Sequence, residues 1–179
     1  MLHITTTSHL YSCQPKTKDE LQEIIIQRII EDGLECDLND IDVSKIKDMS
    51  YLFNARENII FKEFNGDISR WDVSKVTNMS CMFHQCKKFN CDISDWNVSN
   101  VKDMDGMFIW CKSFEQNLDN WDVSNVKHIY NAFLNCPTQP EWYNHILKRQ
   151  LSNMPQYRLI ANSLYGNYGQ NFNLDSYYI

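Results

Sequence analysis

The chain has 179 residues, 43% of them hydrophobic and 22% charged, which allows one domain with a buried core and excludes a disordered chain. Its net charge is −6 and its basic residues are dispersed, so a nucleic-acid partner is not expected: phosphate binding needs a basic face. Apolar runs are short, as at Ile24-Ile25-Ile26, and fall far below the roughly 20 residues that cross a bilayer, so no transmembrane segment is expected.

In chain order, Met1-Leu2-His3-Ile4-Thr5-Thr6-Thr7-Ser8 has neither a basic n-region nor an apolar h-region. No signal peptide or lipobox is expected. The seven cysteines are odd in number and lack a short-spaced framework, which favours a reduced, intracellular environment. Thr17 followed by Glu20 reads as a capping box, and Gly33 as a helix stop, predicting a helix over about 18–32. Leu21, Ile24, Ile25, Arg28 and Ile29 give it one largely apolar face, expected to lid the adjoining segment. Residues 1–36 therefore read as an N-terminal segment with a capping helix.

The next hundred residues repeat. Trp71, Trp96 and Trp121 open similar phrases 25 positions apart, and so do the columns Val76/Val101/Val126, Phe83/Phe108/Phe133 and Cys86/Cys111/Cys136. Further apolar columns are Ile68/Ile93/Leu118, Phe64/Phe89/Phe114 and Met79/Met104/Ile129. An earlier, degenerate copy runs from Leu38 through Val43, Ile46 and Met49 to Phe53, offset by 30 positions, with its five extra residues in 54–63. A unit this short cannot bury an apolar face alone and must stack on its neighbours. The expected fold class is an α/β solenoid over 37–138, one degenerate and three regular repeats. Each repeat would carry a short strand around Trp-Asp-Val-Ser and a short helical turn, for example over Thr77–Phe83, with helical caps at both ends. Asp67, Asp92 and Asn117 are expected to cap their own backbone at turns, and Ser44, Ser74, Ser99 and Ser124 to offer hydroxyls to helix N-terminal amides.

The run Phe64-Asn65-Gly66-Asp67-Ile68-Ser69-Arg70-Trp71-Asp72-Val73-Ser74, with the following Val76-Thr77-Asn78-Met79 and Met82-Phe83, resembles the BspA-like, DUF285-type leucine-rich-repeat family. Its members are described in mycoplasmas, other bacteria and some large DNA viruses. The resemblance covers Asp37 to about Pro140 and extends to the leading Pro15–Leu21 segment, which is similar to that family's N-terminal cap. It implies a leucine-rich-repeat-like coil and, from the family's named members, adhesion or protein binding.

Pro137 and Pro140 end the repeats, and residues 139–179 read as a helix over about 141–151 followed by a Tyr/Asn-rich tail. Trp142, Ile146 and Leu147 fall on one side of that helix. The tail, 157–179, reads either as a poorly ordered extension or as a packed cap, and its Tyr177-Tyr178-Ile179 as a partner contact.

Several constellations could carry chemistry. Cys81, Cys86 and Cys91 are evenly spaced around His84, loosely as in a zinc or redox site, but the repeat already accounts for Cys86 as a small hydrophobe. The five histidines show no ligand or catalytic pairing, and there is no phosphate loop, nucleophile elbow or His-Glu-x-x-His motif. The Asp columns lack the glycines of calcium-binding coils, and the Asn78-Met79-Ser80 and Asn97-Val98-Ser99 glycosylation patterns overlap repeat columns. No catalytic residue, metal or cofactor is expected. The expected role is non-enzymatic: a protein-binding module with its partner surface at the positions free to vary, Arg70, Lys75, Asp95, Asn100, Asn120 and Asn125, with Trp110. The alternatives are a structural or assembly protein, such as a particle or surface component, and a Cys-dependent metal or redox protein.

Overall fold

A 25-residue unit becomes stable only through what it shares with the units before and after it, and three kinds of contact recur at that step. The computed structural model describes residues 12–152, in two compact units that meet in sequence at Pro140 and Glu141. The first residues, 1–8, and the Tyr/Asn-rich tail, 157–179, lie outside the described residues.

The first kind of contact is a backbone ladder. Single-residue parallel bridges join Asp48 to Asn78, Asn78 to Asp103 and Asp103 to His128. From each bridge, alternate N–H groups donate to the next unit. Met79, Cys81, Phe83 and Gln85 bond the carbonyls of Asp103, Asp105, Met107 and Ile109, at 2.7–2.9 Å. Met49, Tyr51, Phe53 and Ala55 do the same to Asn78, Ser80, Met82 and His84, and Met104, Gly106, Phe108 and Trp110 to His128, Tyr130, Ala132 and Leu134.

The second is aromatic stacking. Phe53, Phe83, Phe108 and Phe133 form a column with centroids 5.4, 5.4 and 5.2 Å apart. Phe64, Phe89 and Phe114 form another, packed on the first at Phe83–Phe89 and Phe108–Phe114. These rings, with the Ile, Val and Met columns, are buried and constitute the core. The third is a polar side chain reaching back one unit. The indole N–H groups of Trp71, Trp96 and Trp121 donate to the carbonyls of Leu38, Ile68 and Ile93 at 2.9, 3.2 and 3.2 Å.

Within each unit the local forms differ from the strand-then-helical-turn expectation. The Trp-Asp-Val-Ser phrase links two turns instead of forming a strand, and the bridge falls at its far side, on Asn78, Asp103 or His128. Over Met79–Cys86 the chain makes successive tight turns, Met82 N–H to the Met79 carbonyl and Cys86 N–H to that of Phe83. Such turns return the chain every three residues, which mimics helical spacing in the sequence while leaving alternate N–H groups free to bridge units. Their third residues are left-handed: Cys81 (φ 52°), Gln85 (64°), Gly106 (63°), Trp110 (62°), Asn131 (57°) and Asn135 (61°), with Tyr51 (63°) in the degenerate copy. Only one of these seven is glycine, so six side chains bear that strain. Gly66 has a separate reason, since a Cβ there would stand 2.7 Å from the Cys36 carbonyl oxygen.

Helix α1, Lys18–Asp32, begins at Thr17, whose hydroxyl accepts from the Glu20 N–H, and stops at Gly33. The Glu20 carboxylate closes the box one residue early, on Lys16 N–H. Leu21, Ile25 and Ile29 are buried. The helix also answers the exposed edge of the first copy: Gln22 Nε2 donates to the Leu52 carbonyl (2.8 Å), Lys18 Nζ to Ser50 Oγ (3.2 Å), and Arg28 to Asp40 and the Asp37 carbonyl. The five-residue insertion forms a short 3-10 helix, Ile59–Glu63, pinned by buried Phe61. In the second unit α2, Glu141–Ser152, carries Glu141 in its first turn and Arg149 in its last, matching its dipole. Its buried residues are Tyr143, Ile146 and Leu151, while Trp142 and Leu147 are half-buried, one position off the expected stripe.

Candidate partner-binding surface

Two turns in each repeat have a buried residue at each end, which pushes their tips outward. One is closed by Trp71 N–H to the Ile68 carbonyl, Trp96 to Ile93 and Trp121 to Leu118. Its tips place Arg70, Asp95 and Asn120, all exposed, in one row. The other is closed by Val76 N–H to the Val73 carbonyl, Val101 to Val98 and Val126 to Val123, and places exposed Lys75, Asn100 and Asn125 in a second.

The rows are not wholly free of structural duty. Asn100 Nδ2 donates to the Ser74 carbonyl (2.8 Å) and Asn125 Nδ2 to that of Ser99 (2.7 Å), so these two amides also tie units together. Arg70 lies 3.7 Å from the Asp37 carboxylate of the preceding unit. Trp110 belongs to neither row. It is half-buried at a left-handed position of the ladder, with Lys112 Nζ 4.5 Å from its ring centre.

The Asp and Asn columns behave as turn caps. Side-chain oxygens of Asp37, Asp67, Asp92 and Asn117 accept the N–H two residues on, at 2.8–3.0 Å. A second set, Asp42, Asp72, Asn97 and Asp122, does the same to Ser44, Ser74, Ser99 and Ser124. Those serines therefore contribute backbone N–H groups, not the hydroxyl caps expected of them, because no helix follows for a hydroxyl to cap. Hydrogen bonds from Ser94 and Ser124 hold the Asp92 and Asp122 carboxyls below their ordinary range. For Asp67, burial pushes the other way, and its hydrogen bonds outweigh it. Asn78 and Asn97 are occupied in the same way, each by the N–H and the hydroxyl of the serine two residues on.

The cysteines separate. Cys86, Cys111 and Cys136 donate their thiols to the Phe53, Phe83 and Phe108 carbonyls at 2.8–2.9 Å. Burial drives the Cys86 and Cys111 thiols far above their usual range. Cys91 instead accepts from Ile68 N–H, and burial pushes its thiol up to about 11. Cys81 occupies a left-handed turn position, so Cys81, Cys86 and Cys91 face three different surroundings. Among the described residues, no three His, Cys, Asp or Glu side chains converge to hold a metal ion. No helix there is long and apolar enough to cross a membrane.

Sequence reasoning missed one row. Two residues beyond the Lys75 row, on the far side of buried Ile46, Val76, Val101 and Val126, stand Lys47, Thr77, Lys102 and Lys127, linked by Thr77 N–H to the Lys47 carbonyl, and by Lys102 and Lys127 N–H to those of Thr77 and Lys102. The signal for it was the repeat alignment itself, which puts Lys47, Lys102 and Lys127 in one column although they are far apart in the chain.

Searches of curated proteins and of solved structures found no match to this chain. The model of the family described as "Mycoplasma protein of unknown function, DUF285" matches residues 26–144, which take in part of α1, every repeat and the start of α2, and the chain belongs to that family.

Proposed function

We propose that this chain is a non-enzymatic protein-binding module in which residues 37–138 form a short solenoid that presents its turn tips to a partner. The observation that carries this reading is the division of labour within each unit. Apolar, Trp and Cys side chains are committed to holding the units together and most Asx side chains to capping turns within a unit, while Arg70, Asp95 and Asn120 differ in charge along one exposed row. Constant interior columns beneath a variable exterior row suit recognition of an extended partner. The thiols support the same reading, since groups held protonated by burial are poor nucleophiles at neutral pH.

The test uses the intact chain with a photo-cross-linking side chain in place of Asp95 or Asn120, and in place of exposed Glu31 of α1 as control. Adducts to one macromolecular partner from the two row positions, and none from the control, are the expected result. Equal labelling from all three positions, or no macromolecular adduct at all, overturns the reading.

A further inference from the structure

Folding turns dispersed lysines into a continuous face. Lys45 and Lys47 flank buried Ile46, and the same outward–buried–outward alternation recurs at 75–77, 100–102 and 125–127. The eight outward positions of these four segments carry Lys45, Lys47, Lys75, Lys102 and Lys127, and the other three are uncharged. No carboxylate stands among them in a chain of net charge −6. All five lysines are exposed, and among the described residues no ion pair engages any of them.

Lys102 and Lys127 lie in adjacent units joined by a backbone hydrogen bond of 2.8 Å, and Lys45 and Lys75 hold matching turn positions in adjacent units. Like charges so placed repel, and no ion pair in the free protein offsets that repulsion. The face is also narrow. Asp42, Asp72 and Asp122 run along one side and Asp48 and Asp103 along the other, their carboxylates accepting backbone N–H groups in Asx turns. A broad polyanion would meet these acidic borders; a single extended chain would not.

We infer that this lysine face docks an extended acidic peptide lying across the units. The inference rests on the binding-module reading and specifies the partner's chemistry. Single-stranded nucleic acid is equally narrow, but none of the eight positions offers the aromatic platform on which bases stack.

The probe is fluorescein-labelled deca-glutamate, titrated with the intact chain and followed by anisotropy. Binding is expected at about 20 mM salt and should weaken steeply by about 300 mM, as the screening length shrinks. The triple variant Lys47→Gln, Lys102→Gln, Lys127→Gln should bind at least about tenfold more weakly, while Lys87→Gln with Lys88→Gln should change binding less than about twofold. The triple variant should also melt no lower than the parent, because it removes like-charge neighbours. Absence of binding at low salt, equal loss in both variants, a lower melting temperature of the triple variant, or tighter binding of an oligothymidine of equal charge would each overturn the inference. If deca-glutamate fails while cross-links from Asp95 and Asn120 persist, the binding-module reading stands and only the acidic partner falls.

Discussion

The Trp and Cys columns show how a side chain that looks reactive in the sequence becomes a strut. Each indole N–H satisfies a carbonyl of the preceding unit, and each thiol of the Cys86 column does likewise. Replacing Trp96 by Phe keeps a buried ring but removes the bond between units, leaving the Ile68 carbonyl only the Trp71 N–H, and should cost about 0.5–1.5 kcal/mol in chemical denaturation. The left-handed turn positions give a paired expectation. Gln85→Gly relieves an L-residue at φ 64° and, after the entropic cost of glycine, should stabilise by about 0.5–1 kcal/mol. Gly106→Ala at φ 63° should destabilise, since its Cβ would also meet the Ile109 side chain at 2.9 Å. A gain from alanine at 106, or a loss from glycine at 85, would contradict the turn assignment.

At the scale of the element, no unit owns its core. Phe108 is fully buried and stacks on Phe83, Phe114 and Phe133, so one ring serves three neighbours. Truncation to Ala should cost about 3–5 kcal/mol, enough to consume much of the stability of a domain this size. Helix α1 makes a different contribution: Gln22 and Arg28 satisfy carbonyls that an internal unit would offer to another copy of the repeat. Gln22→Ala should therefore raise amide exchange first in 49–55, ahead of the later units, as expected of a stack that frays from its end.

The whole molecule should show a stability maximum bounded on both sides by its buried or capped groups. Asp40, Asp42, Asp67, Asp92 and Asp122 are held below the ordinary carboxyl range. Folding therefore favours their charged forms, and the stability they lend is complete above about pH 4–5 and lost as pH falls through their folded values. Asp105, raised by burial, acts in the opposite sense but stands alone among the described aspartates. On the alkaline side Cys86, Cys91 and Cys111 are raised. Their contribution is whole below the ordinary thiol value of about 8.5 and declines as pH climbs past it, because the unfolded chain then gains thiolates that the folded chain refuses. Denaturation midpoints followed across pH should trace both limbs, and the double variant Cys86→Ala, Cys111→Ala should flatten the alkaline one. An unchanged alkaline limb in that variant would show that these thiols are not its source.

The sequence by itself determined which residues of the repeats face inward, the 25-residue step between units, and where α1 starts and stops. Each of these follows from a short-range rule: a fixed 25-residue step, an Asx oxygen reaching the N–H two residues on, Thr17 capping and Gly33 releasing a helix. It did not decide the backbone path between those inward residues, because turns closed at three residues and a helical turn place Val76, Met79 and Phe83 with nearly the same spacing. Nor did it disclose the lysine face. Lys47, Lys102 and Lys127 are scattered along the chain, and they fall into one row, with Thr77 between Lys47 and Lys102, only when parallel pairing sets each unit about 5 Å from the last. Inward positions are selected one unit at a time by burial; the outward surface exists only once the units are stacked.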